Sequence, residues 1–161
     1  MKSVLAYLLV FIPLLLIYAQ EPMKKEDNKR LNAVQYRIAR PTNNLEEVTA
    51  FYRDALGMRV IGSFENHEGY DGVMLGMPGV AYHLEFTQDQ NKHPLPKPTK
   101  ENLLFFYFDT PQAYLEANER MKAFGIQPVQ PENPYWEGKS LTYEDPDQWR
   151  IILFNGLFES F

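Results

Sequence analysis

Residues 44–57 have the sequence NLEEVTAFYRDALG, and this stretch predicts an amphipathic helix with a defined end. Apolar side chains recur in it at helical spacing, and Gly57 is the residue type that commonly closes a helix. Ahead of it, apolar and more polar residues alternate from Val34 to Ala39, which predicts a strand that Pro41 ends. The folded part of the chain therefore begins with a strand followed by a helix.

The same order of elements occurs a second time. A second helix starts at Pro111 and ends at Gly125, which lies 68 residues after Gly57. The closing strands of the two halves contain Phe86 and Phe154, which are also 68 residues apart. A duplicated βαβββ module explains both spacings. The pattern predicts further strands over residues 58–64, 73–75, 80–87 and 103–108.

The first 20 residues resemble a secretory signal, because an apolar run from Val4 to Ala19 follows a single lysine. Cleavage after Ala19 would place Ile17 where a small residue is preferred, so a retained membrane anchor is a second interpretation. A translation start at Met23 is a third. The protein is expected to be exported or membrane-anchored in the first two cases and cytoplasmic in the third. The predicted organisation continues with a charged linker (21–32) and one folded domain (33–157), made of module one (33–92), a Pro/Lys-rich connector (93–101) and module two (102–157).

The composition fits a single globular domain and argues against a nucleic-acid partner. The 161 residues are 45% hydrophobic and carry a formal net charge of −5, so the chain lacks the basic surface that follows phosphates. It contains no cysteine, which excludes thiolate nucleophiles and thiolate metal sites. Any metal would have to bind to histidine, carboxylate or carbonyl ligands.

The chain resembles the vicinal oxygen chelate (VOC) superfamily, which includes glyoxalases, bleomycin resistance proteins and extradiol dioxygenases. The helix ending in FYRDALG and the turn DPDQWR at residues 145–150 are similar to motifs of that superfamily. The resemblance covers roughly residues 34–155 and implies an α+β fold in which two βαβββ modules form a cup. Segments around residues 70–72, 82–86 and 133–136 are similar to a small bacterial branch that has no settled reaction.

In metal-dependent members, the resemblance implies one metal ligand from the first strand and one from the fourth strand of each module. These positions correspond here to Arg37, Glu85, Leu103 and Ile152. Only Glu85 is able to bind a cation, since arginine stays protonated and the aliphatic side chains have no donor atom. We therefore expect no cofactor at this position, and we expect an ion pair between Arg37 and Glu85 instead.

Strand alternation predicts which side chains line the cup. His83 and Glu85 share a face and are the candidate catalytic residues, with His83 as the acid or base. The candidate ligand-binding residues combine aromatic rings with polar and cationic groups. Tyr135 and Trp136 are expected either to form an aromatic lip over the cup or to pack against the edge of the sheet. This lining suits a small aromatic or anionic molecule. Its members are Gln35, Arg37, Phe105, Tyr107, Trp136, Arg150 and Phe154.

Two functional hypotheses follow. The first is a small-molecule-binding protein, or a metal-independent enzyme, of the VOC type. The alternative is a metal-dependent lyase, similar to lactoylglutathione lyase, or a dioxygenase, with a divalent metal at His67, His83 and Glu85. A simpler interpretation of the cup also stays open, in which its arginines only form ion pairs with Glu85, Glu144 or Asp147. The resemblance implies that the two modules pair either within one chain or across a dimer, and of these assemblies we expect a homodimer.

Overall fold

The computed structural model describes residues 33–158. The predicted signal or anchor segment and the charged linker therefore lie outside the described residues. Among the helices of residues 33–158, none has both the length and the apolar character needed to cross a membrane.

The first module has the predicted βαβββ order. Its four strands form one mixed sheet in the order β1-β4-β3-β2, and β1 runs parallel to β4. The helix continues after α1 as a π-helical turn, Phe51–Ala55, and Gly57 follows with a φ of +92°. The β2–β3 turn lies at Glu68 and Gly69, since His67 of β2 already pairs with Tyr70 of β3. The elements are β1 (Tyr36–Pro41), α1 (Leu45–Ala50), β2 (Arg59–His67), β3 (Tyr70–Gly76) and β4 (Tyr82–Asp89).

The second module has one strand fewer than expected. Its sheet has the order β5-β7-β6, and an isolated bridge between Val129 and Thr142 lies where a fourth strand was predicted. Pro128, Pro131 and Pro134 explain the difference, since proline has no N–H group to continue a strand ladder. The elements are β5 (Leu103–Phe108), α2 (Pro111–Ala123), a 3-10 turn (Pro134–Trp136), β6 (Ser140–Glu144) and β7 (Arg150–Asn155).

One hydrophobic core joins the two modules into an α+β fold with two small mixed sheets. Side chains from both helices and from the strands behind them belong to the same cluster, which includes Val48, Tyr52, Leu75, Leu84, Phe86, Ala117, Met121, Ile151 and Leu153. Because side chains alternate along a strand, the opposite faces of the two sheets are left free for a site. We call these the cup faces.

Candidate functional site

The cup face of the first sheet carries the candidate catalytic pair. The parallel register sets Arg37 beside His83, and the antiparallel register sets Met74 beside Glu85. Leu84, between the histidine and the glutamate, is in the hydrophobic core. The alternation predicted for β4 is therefore confirmed, and His83 and Glu85 share the cup face.

Arg37 and Glu85 form the ion pair that the sequence predicted. Nη1 of Arg37 lies 2.6 Å from Oε2 of Glu85. The two partners differ in burial, since the glutamate side chain is 6% exposed and the arginine side chain is 57% exposed. Oε2 is buried, and within residues 33–158 no N–H group is aligned to donate to it, so the contact is a close approach of opposite charges. Arg37 thus reaches a buried carboxylate from the solvent side.

The alternative metal site does not assemble. His83 is two residues from Glu85 on the same strand, but His67 pairs with Tyr70 at the far end of the β2–β3 hairpin. His67 is level with Tyr70 on β3, whereas Glu85 is level with Met74, four residues further along that strand. Four residues of strand separate His67 from Glu85 by about 13 Å along the strand direction. Within residues 33–158, no group of three or more histidine or acidic side chains is placed to hold a metal ion.

The positions that the superfamily uses for metal ligands do not fit a metal here. Arg37 brings a permanent positive charge to the first position, and it already contacts the only carboxylate of the set, Glu85. Ile152 is 1% exposed and packed on the second sheet, and Leu103 has no donor atom either. A single carboxylate opposed by a guanidinium does not make an octahedral centre.

An aromatic cluster covers the cup face of the second sheet. The ring centroid of Phe105 lies 6.1 Å from that of Tyr107 and 4.8 Å from that of Trp136. The ring of Phe154 completes the group at 5.9 Å from Tyr107 and 6.0 Å from Trp136. Trp136 comes from the 3-10 turn, whose start is fixed by the Asn133 side chain accepting the N–H of the second residue of the turn. Trp136 therefore packs against two rings of the second sheet, which fits both a lip over the cup and packing against the sheet.

Arg150 is also paired. Its Nη2 lies 3.1 Å from Oε2 of Glu144, and its Nη1 donates to the backbone oxygen of Gln130 at 3.4 Å. The side chain is 8% exposed, and Nε has no hydrogen-bond partner. Both arginines predicted to line the cup therefore have a carboxylate partner, as the simpler interpretation expected. Gln35 is exposed and precedes β1.

The sequence analysis missed a buried polar network where the two modules meet. Arg40 is 3% exposed, and its Nη2 donates to Oδ2 of Asp145 at 2.9 Å. Its Nη1 donates to the hydroxyl of Tyr52 at 3.1 Å, and that hydroxyl donates to the same carboxylate oxygen at 2.9 Å. The guanidinium carbon also lies 4.1 Å from the ring centre of Trp149. The network connects β1 and the first helix to the turn before β7.

Burial and the charge of Asp145 raise the pKa of Tyr52 well above its usual value, although Arg40 acts in the opposite direction. The other carboxylate oxygen of Asp145 accepts the N–H groups of Asp147 and Trp149. Every oxygen of this carboxylate thus has two donors. Tyr52 stays protonated at neutral pH, and the network holds the modules together rather than exchanging protons. Two signals could have revealed it: Arg40 continues the apolar alternation of β1, and Asp145 opens the DPDQWR turn.

Comparison with known protein families gives two adjacent matches. The model described as the YycE-like N-terminal domain matches residues 36–87, and the YycE-like C-terminal domain matches residues 101–155. The uncharacterised protein YycE of Bacillus subtilis strain 168 is 46% identical over 123 residues, which cover 76% of this chain and 88% of that protein. The two matches correspond to the two modules and leave out most of the connector.

Solved structures give matches of the same kind. A crystal structure of a YycE protein of unknown function from Bacillus subtilis has a TM-score of 0.75 and 44% identity, covering 82% of this chain and 98% of that chain. Glyoxalase I from Leishmania major has a TM-score of 0.57 at 20% identity, covering 74% and 84% of the two chains. The fosfomycin resistance protein FosX from Mesorhizobium loti has a TM-score of 0.60 at 16% identity, covering 80% and 95%. At these lower identities the likeness shows the fold alone.

Proposed function

Because the chain belongs to the YycE-like family of the VOC superfamily, we propose that it binds a small planar molecule on its cup faces without the superfamily's usual metal centre. The aromatic cluster of the second sheet carries this proposal. Its rings lie within stacking distance of one another, and Tyr107 is 40% exposed, so one edge of the cluster is open to a ligand. Aromatic walls with few polar groups are typical of small-molecule sites.

The charges on the cup faces favour an aromatic ligand over an anionic one. Arg37 and Arg150 would be the natural anchors for an anion, but each contacts a carboxylate, Glu85 and Glu144 respectively. An anion would have to separate these pairs and would then lie next to a released negative charge. A ligand held by stacking has no such cost.

Any reaction on the bound molecule would use the first sheet. His83 is the imidazole on this face, and it lies beside Arg37 and two residues from Glu85. In this proposal it is the acid or base of a metal-independent step. The protein is then either a binding protein or an enzyme built on His83, and the His83→Gln variant separates them. A binding protein leaves its ligand chemically unchanged in the wild type and in His83→Gln, whereas an enzyme loses turnover but not binding in His83→Gln.

Metal analysis tests the metal-independent part of the proposal. We expect protein purified without chelator to contain less than stoichiometric metal, and titration with nickel, zinc, manganese or iron to give no tight binding. Stoichiometric metal that disappears in the His83→Ala variant would contradict the proposal. It would instead support the metal-dependent lyase or dioxygenase hypothesis.

A ligand screen tests the aromatic part. Planar aromatic compounds should show saturation transfer in ligand-observed NMR, and the Trp136→Ala variant should weaken the compounds that bind. Phe124, a 56% exposed aromatic residue at the end of α2, provides the matched control, and Phe124→Ala should leave binding unchanged. Equal effects of the two substitutions would place the binding surface elsewhere.

We also propose that the protein is a homodimer and that its N-terminal segment directs export. Apolar side chains of the edge strand β1 support the first proposal, since Tyr36 is 60% exposed and Ile38 is 39% exposed. Light scattering at micromolar concentration should give twice the chain mass, and a monomer would remove this proposal. The mass of the mature N-terminus tests export, because cleavage after Ala19 requires a new terminus at Gln20.

A further inference from the structure

We infer that the ligand of the cup carries a cationic group, and that this group replaces Arg37 on the carboxylate of Glu85. The inference rests on the proposed ligand binding and adds the charge that the ligand must have. It concerns an amidinium, guanidinium or ammonium group attached to a planar molecule.

Glu85 is an anion that the fold leaves incompletely satisfied. Its side chain is 6% exposed, and its buried Oε2 accepts no hydrogen bond of acceptable geometry. Its neighbours across the sheet are Ala39 and Met74, neither of which has a side-chain N–H or O–H donor. A carboxylate removed from water in this way needs a positive charge with well-directed donors.

Arg37 supplies the charge but is held loosely. Its side chain is 57% exposed, so most of it is in contact with water even in the paired state. Fixing a long arginine side chain costs conformational entropy, which displacement of the guanidinium into solvent returns. An entering cation also takes over the charge of Arg37, so the exchange does not leave Glu85 buried without a counter-charge. A cation that enters with two parallel N–H groups would provide the alignment that Oε2 lacks.

The other charges near the cup do not offer an equivalent site for an anion. Arg150 is held by Glu144 and by the backbone of Gln130. Arg59 begins the outer strand β2, which is separated from β4 by β3. An anionic ligand that drew Arg37 away would leave the buried carboxylate of Glu85 without its counter-charge. The electrostatics of this face therefore select a cation.

Three nearly isosteric probes test the inference on the full chain: benzamidine, benzamide and benzoate. They share a planar ring and differ in carrying a positive, a zero or a negative charge. By titration calorimetry we expect benzamidine to bind about tenfold more tightly than benzamide, since its two N–H groups match a carboxylate. Benzoate should bind most weakly. A reversed order would overturn the inference.

Two substitutions locate the effect. Arg37→Gln removes the competing cation, so the affinity for benzamidine should rise by about threefold or more. Glu85→Gln removes the anion, and benzamidine should then bind no better than benzamide. The matched control is Arg53→Gln, which breaks an exposed ion pair with Asp54 on the helix and should leave all three affinities unchanged. Circular dichroism spectra of the variants confirm that each is folded.

The outcomes separate this inference from the proposed function. Weaker benzamidine binding by Arg37→Gln, or no binding by that variant at millimolar concentration, would overturn the inference. Equal binding of all three probes that is lost in Trp136→Ala would do the same, while leaving the aromatic site intact. Tight metal that depends on His83 would overturn the proposed function itself.

Discussion

Replacing Tyr52 by phenylalanine removes one hydroxyl group from the buried network between the modules. That hydroxyl donates to Asp145 at 2.9 Å and accepts from Arg40 at 3.1 Å. Both partners are charged, and their side chains are 0% and 3% exposed, respectively. Hydrogen bonds to charged groups contribute about 1.5–3 kcal/mol, so Tyr52→Phe should lower the free energy of unfolding by that amount.

A second buried tyrosine provides the control. Tyr143 is 2% exposed and donates to the amide oxygen of Asn118 at 2.7 Å. Tyr143→Phe removes a hydroxyl of the same kind and similar burial, but its partner is neutral. The expected loss is then only about 0.5–1.5 kcal/mol. The difference between the two variants therefore measures the effect of the charges of Arg40 and Asp145, separately from the effect of losing a buried hydroxyl.

Urea unfolding followed by tryptophan fluorescence measures both variants. The slope of unfolding free energy against urea should stay the same, with only the midpoint moving, because neither change alters the surface exposed on unfolding. A Tyr52→Phe variant as stable as the wild type, or equal losses in the two variants, would refute the role assigned to the network.

Three further predictions concern single sites. Burial raises the pKa of Tyr143 to about 12, whereas a tyrosine of the unfolded chain ionises at about pH 10. The stability that this pKa difference gives the folded state is therefore complete below about pH 10 and falls by about 2–3 kcal/mol by about pH 12. Tyr143→Phe should flatten this alkaline loss of stability. Arg37→Ala should lower the free energy of unfolding by about 1–3 kcal/mol, because it leaves Glu85 buried without a counter-charge. The double variant Arg37→Met with Glu85→Gln, which has neither charge, should lose less. A double variant that melts at a lower temperature than Arg37→Ala would contradict this prediction. In Gly72→Ala the new Cβ would overlap the ring of Phe64. A loss of about 1–3 kcal/mol in the free energy of unfolding is expected, and Phe64→Ala should recover part of it. An unchanged melting temperature would show that the ring moves freely.

The cup of the first module could be predicted because it depends on local rules. The period of two along β4 was enough to place His83 and Glu85 on one face and Leu84 on the other. The ion pair between Arg37 and Glu85 was predicted because the resemblance places both residues at positions that hold metal ligands in metal-dependent members of the superfamily. What the sequence did not predict is the unequal burial of the two partners, because exposure depends on how far the rest of the chain covers each side chain.

The missed features depend on contacts between distant parts of the chain. Arg40 is charged but occupies a core-facing position of β1, and the nearest counter-charge that makes this position tolerable is Asp145, 105 residues further along. The absent fourth strand of module two was predicted from the repeat, although the prolines at 128, 131 and 134 argued locally against it. Here the local signal was correct and the repeat was misleading.

The separation between Arg40 and Asp145 also affects the order of events during synthesis. Arg40 and Tyr52 leave the ribosome well before Asp145, which follows Arg40 by 105 residues. A guanidinium is costly to enclose in an apolar core without its counter-ion. The first module therefore completes its packing only after Asp145 has emerged, and a nascent chain that stops at the connector presents an open core to chaperones and proteases.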